Sequence, residues 1–385
     1  MAAADFKMAR VLFYVQHLLG IGHQMRAAAI TRAMTTIGLD VTYVTGGFTD
    51  TALDLGGVKI VQLPPVRAQD ATFKTMLDEF GHPIDDAWEN RRRDALLRAY
   101  SVTAPDVLLI EGYPFARRRF RFELLPLLQA AQESGVPVAV SVRDILAAKS
   151  NPARVQEVVD IVQKNCAAVL VHGDPSLITL DKTFAAAAKI ADKIRYTGYV
   201  SAPSISSAQN APTRNGVVVS VGGGAVGGAL LRCALAARPL TRLRDAPWRL
   251  ITGPNLPKSD QHALARSGGV TIEQFNPDFR KILSHCTLSI SQAGYNTVMD
   301  VLATSAPSIL VPFAQDGETE QTVRAKLLAR HPGFQFISEA ELTPARLAAT
   351  VDAVVDAPPS PKNTLNRNGA AETAKILLGL TALKH

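Results

Sequence analysis

Short apolar, β-branched runs alternate with helix-length stretches along almost the whole chain, and the alternation stops once and then restarts. Strands are predicted at Val11–Gln16, Val41–Thr45, Lys59–Leu63, Val107–Glu111, Val136–Val142, Ala168–His172 and Ile194–Thr197. Helices fill the gaps, most clearly at Gln24–Ile37 and Phe122–Ser134. Residues 201–215, rich in Ser, Pro, Ala and Asn and without a continuous apolar face, read as a linker. The pattern then resumes, with strands at Val217–Val221, Arg249–Thr252, Val270–Glu273, Leu288–Ser291, Ser308–Val311 and Gln335–Ile337. Helices follow at Ala229–Arg238, Asn296–Ala303, Glu320–Arg330 and Pro344–Val355. A Pro-rich break at Pro358–Pro361 precedes a last helix near Gly369–Leu380. A chain of 385 residues is too long for one ordinary core and suits two. The expected class is α/β: two Rossmann-like, doubly wound domains facing each other across a cleft.

Composition narrows the partners. The chain is 47% hydrophobic and 19% charged, a globular balance. Its three cysteines, Cys166, Cys233 and Cys286, are far apart and lack metal or redox spacing, which points to a reducing compartment and a cytoplasmic protein. Met1–Arg10 carries no apolar stretch of signal-peptide length, and no run of about 18 apolar residues is present to span a bilayer. The net charge of +7 is concentrated at Arg91-Arg92-Arg93 and at Arg117-Arg118-Arg119 with Arg121. Two readings stand: solvated helix faces, or contact with an anionic acceptor or the inner membrane surface, worth about 1 kcal/mol per basic residue. No nucleic-acid motif accompanies the runs, so nucleic acid is not an expected partner.

Three glycine-bearing turns follow predicted strands. The first strand leads into His17-Leu18-Leu19-Gly20-Ile21-Gly22-His23 and then a helix. Gly20 and Gly22 allow a tight turn on the expected acceptor side, and His23 sits where the helix starts. The second domain opens on Val221-Gly222-Gly223-Gly224-Ala225-Val226-Gly227, formally a G-x-G-x-x-G after a strand. A dinucleotide site also wants an acid at the end of the next strand, where Leu250-Ile251-Thr252-Gly253 has none, so hydride transfer is disfavoured. A phosphate-facing turn remains, because backbone N–H groups and a helix dipole suit any such anion.

The third turn lies in Ser291-Gln292-Ala293-Gly294-Tyr295-Asn296-Thr297-Val298-Met299-Asp300. Gly294 permits close approach of a phosphate, the first helical N–H groups are unpaired donors, and Thr297 adds a hydroxyl. Asn296 and Asp300 are four residues apart and share a helix face, where an acid can accept from a ribose diol. One βα unit later, Glu320 and Gln321 open another helix, a carboxylate and an amide suited to sugar hydroxyls. Either turn alone reads as an ordinary helix start with acids in its first turn; consecutive loops of one sheet favour a ligand.

On these residues the chain resembles nucleotide-sugar glycosyltransferases of the GT-B fold, in particular family 28, which includes the peptidoglycan N-acetylglucosaminyltransferase. The resemblance implies that Gly294 and Thr297 hold a pyrophosphate, Asp300 the ribose, and Glu320 and Gln321 the donor sugar. It further implies that Phe275 and Asn276 face the base and Gly222, Gly223 and Gly224 the diphosphate. His23 is similar to the histidine proposed as general base in that family, although the loop before it carries Leu18, Leu19 and Ile21 in place of glycines. Glu111 and Asp144, both at predicted strand ends, are competing bases, and each can instead pair with an arginine such as Arg117 or Arg143.

The resulting expectation is an inverting, metal-independent hexosyltransferase, with no cofactor beyond the nucleotide-sugar substrate, UDP being favoured by the resemblance. Residues 1–200 would bind an unidentified acceptor of hydroxyl type, lipid-linked and envelope glycans included. Residues 216–365 would bind the donor, and 366–385 would form a terminal helix free to return to the first domain. An epimerase or hydrolase of the same fold, or a binding module without chemistry, are the alternative readings.

Overall fold

The computed structural model describes residues 8–18, 22–48, 53–69, 75–146, 151–201, 214–222, 226–265, 268–315, 319–357 and 364–382. Of the predicted linker, 202–213 lie outside the described residues, as does the Pro-rich break. The chain divides into two compact units: Met1–Val200 with Leu365–His385, and Ser201–Thr364.

The strands of the first unit are β1 (Arg10–Val15), β2 (Asp40–Thr45), β3 (Lys59–Gln62), β4 (Arg67–Ala68), β5 (Met76–Leu77), β6 (Val107–Glu111), β7 (Val138–Arg143), β8 (Ala168–His172) and β9 (Ile194–Tyr196). Its helices are α1 (Gly22–Thr36), α2 (Asp86–Thr103), α3 (Arg121–Glu133) and α4 (Pro152–Asn165). A seven-stranded sheet runs β3-β2-β1-β6-β7-β8-β9, all pairs parallel. Strands β4 and β5 form a separate antiparallel pair that the hydrophobic pattern does not announce. Val11 to Val15 are fully buried, as expected of a strand covered on both faces. Local chemistry starts the helices: Asp85 accepts from the Trp88 N–H to cap α2, and Asn151 caps α4 ahead of Pro152.

The second unit contains β10 (Val217–Ser220), β11 (Trp248–Ile251), β12 (Thr271–Glu273), β13 (Leu288–Ser291), β14 (Ser308–Leu310) and β15 (Phe334–Phe336). Between and after them come α5 (Gly228–Ala237), α6 (Lys258–Ala265), α7 (Phe279–His285), α8 (Tyr295–Thr304), α9 (Glu320–Leu328) and α10 (Pro344–Asp356). The six-stranded sheet runs β12-β11-β10-β13-β14-β15, again parallel.

The last helix, α11 (Gly369–Thr381), belongs to the first unit. Its Ala374 and Leu377 share a core with Ala27, Ile30 and Met34 of α1. Tyr199 N–H donates to the Asn366 carbonyl and Gly369 N–H to the Tyr199 carbonyl, seating the returning segment. A Cβ on Gly369 would lie 2.3 Å from the Gly198 carbonyl oxygen, so this close approach requires glycine.

The arginine runs are not the free basic surface that their density suggests. Arg92 is fully buried, bound to both carboxylate oxygens of Glu123, which also accepts from Tyr14. The same guanidinium donates to the Gly46 and Pro64 carbonyls and lies against the rings of Trp88 and Phe120. Arg118 and Arg121 pair with Glu157, Arg119 with Glu89, and Arg93 with Asp94. Their charge is largely matched where it stands. Among the described residues no helix is long and apolar enough to cross a membrane.

Candidate functional site

In an open parallel sheet the ligand crevice forms beyond the carboxyl ends of the two neighbouring strands from which the chain departs in opposite directions. In the first unit those strands are β1 and β6. Helix α1 begins at Gly22 directly after β1, placing His23 in its first turn, and Glu111 ends β6. His23 Nδ1 lies 2.6 Å from Glu111 Oε1, and Arg26 Nη2 lies 2.5 Å from the same oxygen. The two predicted candidates are therefore one constellation, and Glu111 pairs with Arg26 rather than with either arginine expected from the sequence. Arg26 is one helical turn past His23, so the pair shares a face of α1; that spacing was visible, but the sequence reading did not use it.

Charge decides what the pair can do. Burial raises the Glu111 pKa, but His23, Arg26 and Arg117 lower it by more, holding the carboxylate well below the usual range and ionised. An ionised carboxylate only accepts, so the shared proton sits on His23 Nδ1. Glu111 raises the imidazole pKa, but burial together with Arg117 and Arg26 outweighs it and lowers it to about 4. The ring is neutral near pH 7, is 26% exposed, and its Nε2 has no partner among the described residues. Such an imidazole can accept a proton at Nε2 while Glu111 stabilises the cation that forms.

Polar groups continue along the same sheet edge. Ser141 of β7 contacts His172 Nε2 at 2.7 Å, and Thr197 contacts its Nδ1 at 2.9 Å. Burial, reinforced by Arg26, lowers the His172 pKa to about 3, so this fully buried ring is a neutral structural link. Asp144, the third candidate base, is 1% exposed and accepts from Tyr199 Oη at 2.9 Å. Gly20 lies outside the described residues.

In the second unit the corresponding strands are β10 and β13. Gly222 follows β10 with φ of 70°, a left-handed conformation, and its Cα faces the Thr297 hydroxyl: a Cβ there would lie 3.8 Å from Oγ1. Gly223 and Gly224 lie outside the described residues. Gly294 precedes α8 with φ of −60° and ψ of 146°, and a Cβ added to it would meet nothing within 4 Å. Neither conformation nor packing inside the described protein asks for glycine at this position. The N-cap of α8 is Gly294, which has no side chain to accept from the first helical N–H groups.

Asn296 and Thr297 lie half-buried in the first turn of α8. Asp300, one turn on, has its Oδ1 3.6 Å from Arg280 Nε, and burial raises its pKa to about 6 despite the pull of Arg280. Gln321 Oε1 accepts from the backbone N–H groups of Ala293 and Phe313, at 3.1 and 3.3 Å, clasping the turn before α8 to the next loop. Glu320 is paired with Arg324, whose Nη1 also reaches the Ala293 carbonyl. So this carboxylate and amide brace the turn, with Arg324 a third member that the sequence reading missed. Asn276 is used locally, donating to Glu273 and accepting from the Asp278 N–H, while Phe275 projects at 70% exposure.

Residues 218–377 match the glycosyltransferase family 28 C-terminal domain. The matched segment begins in β10 and ends in α11, and so contains the Gly222, Gly294 and Gln321 turns. A curated relative from Listeria monocytogenes serotype 4a is 34% identical over 87 residues, 23% of this chain and 24% of that protein. It is named UDP-N-acetylglucosamine--N-acetylmuramyl-(pentapeptide) pyrophosphoryl-undecaprenol N-acetylglucosamine transferase. The chain thus spans about a quarter of the length of that relative. Among solved structures it is similar to CalG4, the calicheamicin glycosyltransferase, with a TM-score of 0.61, 15% identity, and 98% of this chain and 96% of that one covered. It is likewise similar to Acinetobacter baumannii MurG, with a TM-score of 0.60, 16% identity, and coverage of 96% and 99%. With the two parallel sheets, these likenesses give the chain the two-domain GT-B fold.

Proposed function

We propose that this chain is an inverting, metal-independent glycosyltransferase that moves a hexose-type sugar from a nucleoside diphosphate donor, a UDP-sugar, to an acceptor hydroxyl. The observation that carries the reading is the His23–Glu111 contact of 2.6 Å at the β1/β6 crevice in a chain whose other unit has a family 28 turn. The N-terminal unit binds the acceptor, and His23 Nε2 takes the hydroxyl proton. The acceptor oxygen then bonds to the anomeric carbon as the bond from that carbon to the diphosphate oxygen breaks, and configuration inverts. The N–H groups opening α8 and the Thr297 hydroxyl stabilise the departing diphosphate in place of a metal. Asp300 accepts from the ribose, Phe275 offers a stacking face to the base, and Gln321 with Glu320 holds the loops around the sugar. The Listeria relative is named for a UDP-N-acetylglucosamine donor, which supports the UDP-sugar assignment.

The test is a thermal-shift panel of UDP, GDP, dTDP and their common sugars on the wild type and on Asp300→Ala. A nucleotide at 100 times its Kd stabilises by about 2.7 kcal/mol. UDP is expected to shift the wild type and to lose most of that shift in the variant. No shift with any nucleotide overturns the donor assignment.

A further inference from the structure

Arg26 contacts both members of the proposed base, and no role has yet been given to it. It is 4% exposed, on the same helix as His23, with Nη2 at 2.5 Å from Glu111 Oε1 and 3.2 Å from His23 Nδ1. Glu111 is 2% exposed and its second oxygen has no hydrogen-bond partner among the described residues. Both donors thus converge on one oxygen, and the carboxylate is held by that oxygen alone.

We propose that Arg26 is the positioning residue of the His23–Glu111 pair: its guanidinium pins Oε1 against the Nδ1 side of the ring and so leaves Nε2 as the nitrogen that receives the acceptor proton. This deepens the reading of His23 as general base and rests on it. Without Arg26 the carboxylate can rotate, since Oε2 has nothing to keep it in place. Either ring nitrogen could then carry the proton, and the ring would stand beside an uncompensated anion. The other charged or titratable groups facing the pair are Arg117 on the loop after β6, His172 on β8 and Tyr43 on β2. Arg117 opposes protonation of His23 as Arg26 does. The neutral His172 and the buried Tyr43 phenol, whose pKa burial pushes up, supply no competing charge near pH 7.

The test is 15N NMR of histidine-labelled full-length protein, His23 being identified by the signal lost in His23→Asn. The wild type is expected to show the Nδ1–H tautomer from pH 8 to 5. In Arg26→Gln a mixture of tautomers is expected, with the ring titrating higher by about one pH unit, a tenfold change in proton affinity. Arg26→Lys, which keeps the charge, is expected to restore most of the midpoint and less of the tautomer preference. If Arg26→Gln does not fold, the Arg26→Lys spectrum alone decides: an unchanged tautomer preference overturns the proposal. An Arg26→Gln protein with wild-type tautomer and midpoint overturns it equally. The NMR readout needs no turnover, so it separates the two ideas. Wild-type transfer by His23→Ala would remove the base assignment while leaving the positioning result to stand or fall by itself.

Discussion

The β1/β6 crevice and the β10/β13 crevice occupy the same place in two similar sheets, yet they are furnished with opposite materials. The first is made of side chains: an imidazole, a carboxylate and a guanidinium packed within hydrogen-bonding distance of one another. The second is made of backbone: glycine turns, uncapped helical N–H groups and open space around Gly294, with side chains used mainly to brace it. A packed triad of charges can hold a proton where it is needed, which suits activation of a nucleophile. A rigid arc of N–H groups suits a leaving group that arrives already charged. The division predicts that changes in the first crevice alter the chemical step and those in the second alter nucleotide binding.

The largest test of that division is His23→Ala. Transfer should fall by about a hundredfold to ten-thousandfold, the usual worth of a general base, with UDP affinity by calorimetry unchanged. A parallel loss of UDP affinity would break the comparison. Next comes Glu111→Ala, which breaks the buried Arg26–Glu111 pair and should destabilise the protein by about 3–5 kcal/mol in denaturant unfolding. Gln321→Ala deprives two backbone N–H groups of their acceptor, at a cost of about 1–3 kcal/mol, and should weaken UDP binding with little effect on the pH profile of transfer.

How the sequence exposes the two crevices differs for the same reason. The Gly294 turn is local: its glycine, hydroxyl and acid fall within seven consecutive residues, so strand–turn–helix patterning brings Gly294, Thr297 and Asp300 together on paper. The two sheets were legible likewise, because strands buried on both faces read as unbroken apolar runs. The His23–Glu111–Arg26 cluster joins positions 88 and 85 residues apart. Only the parallel β1/β6 pairing brings them together, and no periodicity encodes that. The Arg92–Glu123 pair was hidden for a further reason. Arg92 sits in a run that looks solvated, and about 100° of helix rotation separates its buried side chain from the exposed Arg91 and half-exposed Arg93 on either side.

Acidity sharpens the comparison further. His23, lowered to about 4, stays a competent base until pH falls through that value, so the chemical step should be level from pH 7 to 5. Asp300, raised to about 6, becomes protonated within the same window, so UDP affinity should fall as pH drops through about 6. A raised acid pKa in the folded state favours the protonated form. Its stabilising contribution is therefore present at low pH and lost as pH rises from about 3.8 to 6. Asp300→Asn should accordingly raise the melting temperature at pH 7 and have less effect at pH 4. The smallest expected effect is that of Gly294→Ala on folding, under about 0.5 kcal/mol, since its φ of −60° is ordinary and nothing lies within 4 Å of the new methyl. UDP binding should weaken all the same, and an unaltered Kd would show that no ligand approaches this glycine.

The return of α11 to α1 gives the chain an unusual order of assembly. The first unit is the first to leave the ribosome and the last to be completed, because Ala374 and Leu377 are translated after the entire second unit. Until they arrive, the apolar flank of the helix bearing His23 lacks its cover, and a nascent chain in that condition is a natural client for holdase chaperones. A chain that ends between residues 364 and 369 would carry every residue of the second unit and a first unit without α11. Premature termination near the 3′ end of the message should yield insoluble protein rather than a half-active enzyme.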